Sequence, residues 1–159
     1  MLECLPDHVE HLRGKFGDTE NVNLINKAAW NKKDTLVFYI GKTPGSSTAV
    51  VDAKGQRGQD LATEQSEKIE VEADTLTAIW KDQLKSKYIN FLKMDIEGAE
   101  YEALEGAEEM LKCTERVAIA AYHIRDGVPT AKKVEEILRH YGFSTRIDAN
   151  LHVYGSRLN

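Results

Sequence analysis

Four short runs of apolar and β-branched residues punctuate the chain: Val22–Ile25, Thr35–Ile40, Ile89–Met94 and Val117–Tyr122. Between them, apolar residues recur every three to four positions, the spacing of amphipathic helices. The last two runs are nearly continuous in apolar character, which predicts strands covered on both faces, as in the centre of a helix-flanked α/β sheet. An antiparallel sandwich would show stricter alternation.

The helical stretches carry their own boundary signals. Pro6 opens one that continues through Val9, Leu12 and Phe16 and closes at Gly17. Asp74 can cap a second through Leu76, Ile79, Trp80 and Leu84. From Gly98 to Leu111, residues Ala99, Ala103, Leu104, Ala107, Met110 and Leu111 line one face while Glu100, Glu102, Glu105, Glu108 and Glu109 fill the other. This pattern predicts one continuous helix. A fourth helix starts near Pro129, buries Val134, Ile137, Leu138 and Tyr141, and stops at Gly142. Phe143–Ile147 and Leu151–Tyr154 then read as a hairpin turning at Asp148-Ala149-Asn150. Thr43–Glu67 has few large apolar residues, with Gly45, Ser46, Ser47, Gly55 and Gly58 among them, and reads as a long mobile loop able to act as a lid. No repeat or linker interrupts the sequence, so residues 1–159 are expected to form a single domain.

Composition narrows the picture by exclusion. The formal net charge of −5 argues against a phosphate-tracking surface and hence against a nucleic-acid partner. No apolar run approaches the roughly 20 residues of a membrane helix, and the start Met1-Leu2-Glu3-Cys4-Leu5-Pro6 lacks the basic flank of a secretory signal. A cytoplasmic location without membrane contact is expected. Cys4 and Cys113 have no ligand-like spacing, so free thiols are expected and no metal site is predicted.

The chemistry concentrates where a predicted strand runs into a helix, at Lys93-Met94-Asp95-Ile96-Glu97-Gly98-Ala99-Glu100. In an open α/β sheet, ligands bind outside this carboxyl edge. Asp95, Glu97 and Glu100 repel one another, and burying any of them requires a donor or a cation. Glu97 and Glu100 also suit a helix N-terminus through its dipole alone, so both readings stand for them.

This segment, followed by Ala103-Leu104-Glu105-Gly106-Ala107, resembles the signature of FkbM-family methyltransferases. Glu3-Cys4-Leu5-Pro6 resembles the acid and proline ending that family's second strand, and Asn26-Lys27-Ala28-Ala29-Trp30 the segment after its third. Gly45-Ser46-Ser47 and Ala73-Asp74-Thr75-Leu76 match elements preceding the signature, although Thr77 stands where an aspartate is common. Ala121-Tyr122-His123 and Tyr141-Gly142-Phe143 complete the match.

The resemblance implies a Rossmann-like class I methyltransferase sheet with helices on both faces, S-adenosylmethionine as donor, and O-methylation of a hydroxyl on a sugar or other small metabolite. It also implies roles. Glu3 would accept the cofactor's ribose hydroxyls, Ala28 and Ala29 would leave room for adenine, and Asp95 would lie beside the transferred methyl and the acceptor. His123 is a candidate base for the acceptor hydroxyl.

The family's first strand and glycine-rich turn should precede Glu3, and no segment here matches them. The expectation is an N-terminally truncated domain with weakened cofactor binding and an exposed strand edge open to homodimerisation. Two other readings compete. One is a non-catalytic α/β binding or scaffold domain derived from a methyltransferase. The other, a carboxylate-rich metal hydrolase, suffers from the lack of a histidine at ligand spacing from Asp95.

Overall fold

The computed structural model of the protein describes residues 1–41, 46–50, 53–56, 59–84 and 86–157. The first half contains β1 (Leu2–Glu3), α1 (Pro6–Phe16), β2 (Ile25–Asn26), β3 (Ala28–Trp30), β4 (Asp34–Tyr39), β5 (Lys68–Thr75) and the short α2 (Leu76–Ile79), which continues into a π-helical turn over Trp80–Leu84. The second half contains β6 (Ile89–Met94), α3 (Glu100–Glu105), α4 (Glu108–Lys112), β7 (Thr114–Ala120), β8 (Ile124–Arg125), β9 (Val128–Pro129), α5 (Ala131–His140), β10 (Ser144–Ile147) and β11 (His152–Ser156). The mixed α/β class and the antiparallel C-terminal hairpin expected from the sequence are both present.

A four-stranded sheet in the order β10-β11-β7-β6 dominates the second half. Its parallel pair, β6 and β7, is joined through α3 and α4, and the register sets Met94 opposite Ile119. Leu104, Leu111, Val117, Ile119, Val134, Leu138 and Val153 form a core between the sheet and its helices, each essentially inaccessible. Elsewhere the two-residue strands β1 and β2 pair in parallel, and the longer β5 lies between β3 and β4.

Several local expectations change for physical reasons. β6 is the last strand of its sheet, with Phe91 55% exposed, so it is not covered on both faces as its apolar run implied. The Val22–Ile25 run yields a strand only at Ile25–Asn26. β5, which the sequence reading did not predict, alternates Ile69, Val71 and Ala73 with charged residues, so its apolar side chains share one face while its backbone pairs with β3 on one edge and β4 on the other. Thr75, rather than Asp74, caps α2 by accepting from the Ala78 N–H at 3.1 Å. The carboxylate of Asp74 instead takes the Thr75 N–H and the ammonium of Lys27.

The helix predicted over Gly98–Leu111 is broken in two at Gly106-Ala107. At Gly106 a side chain would meet the Trp30 carbonyl oxygen at 2.2 Å, and the Gly106 carbonyl accepts from the Thr77 N–H. The backbone therefore departs from helix to dock on the end of β3 and the start of α2.

The Thr43–Glu67 segment is only partly within the described residues: 43–45, 51–52 and 57–58, with Gly45 and Gly58 among them, fall outside. Its described parts do not stand free as a lid. Thr48 exchanges backbone hydrogen bonds with Tyr39, Lys54 does the same with Ile124, and Ala53, Leu61 and Ala62 are buried. Among the described residues, no helix is long and apolar enough to cross a membrane.

Candidate functional site

The parallel register of β6 and β7 brings their carboxyl ends side by side, and the chain beyond each end carries polar residues. After β6 the backbone turns through Glu97 at φ 54° and Gly98 at φ 96° before α3 begins. Left-handed backbone is costly for a residue with a Cβ, by roughly 1–2 kcal/mol, and here three contacts hold it. Thr48 Oγ1 donates to the Glu97 carbonyl at 2.8 Å, Arg125 donates to the Gly98 carbonyl at 3.1 Å, and the Gly98 N–H donates to Glu100 Oε1 at 3.2 Å. Arg125 is itself fixed by a two-pronged pairing with Glu102. Gly98 is needed on two counts, its positive φ and the approach of Ala53 to 2.9 Å of where a Cβ would stand.

After β7 comes His123, whose side chain has no exposure. Its Nδ1 lies 2.9 Å from Glu100 Oε1, and its Nε2 lies 3.3 Å from Glu97 Oε2 and 3.9 Å from Asp95 Oδ1. These are ion-pair distances, yet neither ring nitrogen forms a hydrogen bond of favourable geometry. Burial alone would lower the imidazole pKa; Glu100 and Glu97 outweigh it and raise the value to about 9. Tyr122 donates from its hydroxyl to Asp95 Oδ1 at 3.3 Å and packs its ring 4.4 Å from that of His123. Desolvation and the charge of Asp95 push this phenol up to about 12, so it stays a donor.

In front of Asp95 and Glu97 opens a cleft of about 180 Å³. One wall is Glu3, Cys4 and Leu5 with Ala28, Ala29 and Trp30; the other is Asp95, Ile96, Glu97 and Ala99. Glu3 accepts the Leu5 N–H through Oε1 at 2.8 Å, while its Oε2 lies 3.8 Å from His8. The Cys4 thiol is pushed up to about 12 by burial and by Glu3, which makes it a poor nucleophile.

Glu3, Ala28, Ala29 and Asp95, distant in sequence, thus share one cleft. His123 does not line it; it sits behind Asp95 and Glu97. Glu100 is fully buried against His123 and Thr130, which exceeds what a helix dipole asks of an acid. The sequence argument against a metal, that no histidine lies near Asp95, fails in three dimensions because the next strand delivers His123. Asp95, Glu97 and His123 each present a ligand atom within 4.8 Å of the others. Tyr122, Thr48 and Arg125 were not singled out from sequence. Only Tyr122 left a trace there, as the neighbour of His123.

The cleft thus gathers an acid at the end of β1, two small residues of β3 and a carboxylate just beyond the end of β6, elements that belong to three different sheets. The model of the methyltransferase FkbM domain matches residues 3–145, and the chain belongs to that family. Methyltransferase is accordingly the class of activity to which it is assigned. No curated protein and no solved structure matches the chain.

Proposed function

We propose that the protein is an S-adenosylmethionine-dependent O-methyltransferase whose acceptor is a hydroxyl of a sugar or another small metabolite. The reading includes the fuller Rossmann-like arrangement, one domain over residues 1–159 and a cytoplasmic setting. The observation that carries it is the convergence of Glu3, Ala28, Ala29 and Asp95 on one cleft.

The cleft suits the nucleoside end of the cofactor. Glu3 closes β1 and keeps lone pairs beyond its bond to Leu5, enough to accept ribose hydroxyls. Ala28 and Ala29 contribute only methyl groups to the wall, which leaves space for a flat base. For the amino-acid end, none of the described lining residues is a glycine, and that part of the cofactor is left unassigned. When bound, the cofactor supplies an electrophilic methyl group on a sulfonium. Asp95, on the opposite wall, accepts from and orients the acceptor hydroxyl and takes its proton. Tyr122 holds that carboxylate through its hydroxyl, and His123, with Nε2 3.9 Å from Asp95 Oδ1, is the second candidate for the base.

Titration of S-adenosylmethionine into isotope-labelled protein, followed by NMR, tests this assignment. Weak binding is expected, with the amide shifts concentrated at Glu3, Ala28 and Ala29. Shifts elsewhere would overturn the placement, and no shifts at saturating cofactor would favour the non-catalytic scaffold.

A further inference from the structure

We infer that Asp95, Glu97 and His123 form a binding site for a divalent first-row cation, with Glu100 orienting the histidine from behind. The inference is independent of methyl transfer.

Its starting point is the fully buried imidazole. A histidine with no exposure needs partners for both ring nitrogens, since an unsatisfied buried polar atom costs about 1–3 kcal/mol. Nδ1 of His123 has Glu100 Oε1 beside it at 2.9 Å, whereas Nε2 lies near the carboxylates of Glu97 and Asp95 without a hydrogen bond of favourable geometry to either. The distances fit an ion in that gap. Ligand atoms about 2.0–2.2 Å from a shared cation stand roughly 3.0–3.5 Å apart, depending on geometry. Nε2 lies 3.3 Å from Glu97 Oε2 and 3.9 Å from Asp95 Oδ1, so small side-chain rotations complete the set.

The surroundings match what ligating histidines require. Such a residue donates its other ring nitrogen to a carboxylate, which fixes the tautomer. Glu100 Oε1, 2.9 Å from Nδ1 and buried, is placed for that role. The Glu97 backbone is pinned by Thr48 and the adjoining Gly98 carbonyl by Arg125, so the ligand turn is set before any ion arrives. Asp95 and Glu97 border the cleft, which leaves the remaining coordination positions open to water or an oxygen-bearing ligand. Two carboxylates with one imidazole favour Mn²⁺ or Zn²⁺ over Mg²⁺, which prefers oxygen ligands alone.

Calorimetric titration of the 159-residue chain with MnCl₂, without cofactor, tests the site. One ion per chain is expected. Glu97→Gln and His123→Gln should each weaken binding at least 100-fold, and Glu100→Gln about 10- to 100-fold. Pulsed EPR of the Mn²⁺-loaded protein should show coupling to one imidazole nitrogen, absent in His123→Gln and retained in Glu100→Gln. Circular dichroism melts establish that each variant is folded; if His123→Gln is not, Glu97→Gln and the nitrogen coupling of the parent decide. No binding by the folded parent at millimolar Mn²⁺, binding unaffected by Glu97→Gln, or bound ion without nitrogen coupling would overturn the inference.

Discussion

The two halves of the molecule are built to different standards. From β6 onward, a four-stranded sheet and three helices bury Leu104, Leu111, Ile119, Leu138, Val117, Val134 and Val153 almost completely. Before it, β3, β4 and β5 carry a small cluster of Ala28, Val71 and Ala73, and among the described residues there only Val9 and Thr48 of the larger side chains are as deeply enclosed. The cleft lies where the halves meet. A buried carboxylate and imidazole stay put only in a stiff frame, and the well-packed half provides it for Glu100 and His123, beside which Asp95 and Glu97 remain partly exposed to the cleft. The lighter half contributes Glu3, Ala28 and Ala29, one acid beside two small residues.

This contrast can be broken by experiment. The largest effect is expected at Asp95: with the acceptor identified, Asp95→Asn should lower turnover by roughly 10²- to 10⁴-fold while cofactor affinity changes much less. Near-parental turnover in steady-state kinetics would make the carboxylate structural. Leu104→Ala should destabilise the fold by about 2–5 kcal/mol in urea titrations, whereas Val71→Ala in the small cluster should cost about 1 kcal/mol. Equal losses would erase the distinction between the halves.

On the other wall, Glu3→Gln should raise the cofactor dissociation constant roughly 10- to 100-fold, the equivalent of about 1.5–3 kcal/mol for a charge-assisted hydrogen bond. A change in turnover at saturation with no change in affinity would exchange the roles of the two walls. The smallest effect concerns pH. Burial would raise the Asp74 carboxyl, but the Lys27 hydrogen bond, the Thr75 N–H and the Lys27 charge hold it below the ordinary aspartate value. A depressed pKa contributes stability above the unfolded value, near pH 4, and loses it as pH falls through the folded one. Asp74→Asn should therefore be less stable than the parent by at most about 1 kcal/mol in urea titrations at pH 6, with the gap closing toward pH 3. A gap that persists at pH 3 would have another source.

Much of the stronger half was legible in the sequence, because periodicity reports one element at a time. Val134 and Leu138 marked the buried face of α5, Gly142 its end at φ 83°, and Asp148 the hairpin turn, where it accepts the Asn150 and His152 N–H groups. The Lys93–Glu100 segment announced its chemistry by placing three acids after a strand. β5 was not among the predicted strands, because its few apolar residues, Ile69, Val71 and Ala73, are separated by charges and follow a loop-like stretch.

What the sequence determined by itself was therefore local: the helix faces, the turns, the acid-rich strand end and the residues that resemble one family. Tertiary structure decided what depends on two segments meeting. Docking of Gly106 against Trp30 broke a helix that periodicity made continuous, and the end position of β6 exposed Phe91. The parallel register of β6 and β7 set His123 among Asp95, Glu97 and Glu100, a neighbourhood that no spacing along the chain encodes. Side-chain periods describe a segment's own faces, while the partner of each face is fixed only when the strands pair and the core closes.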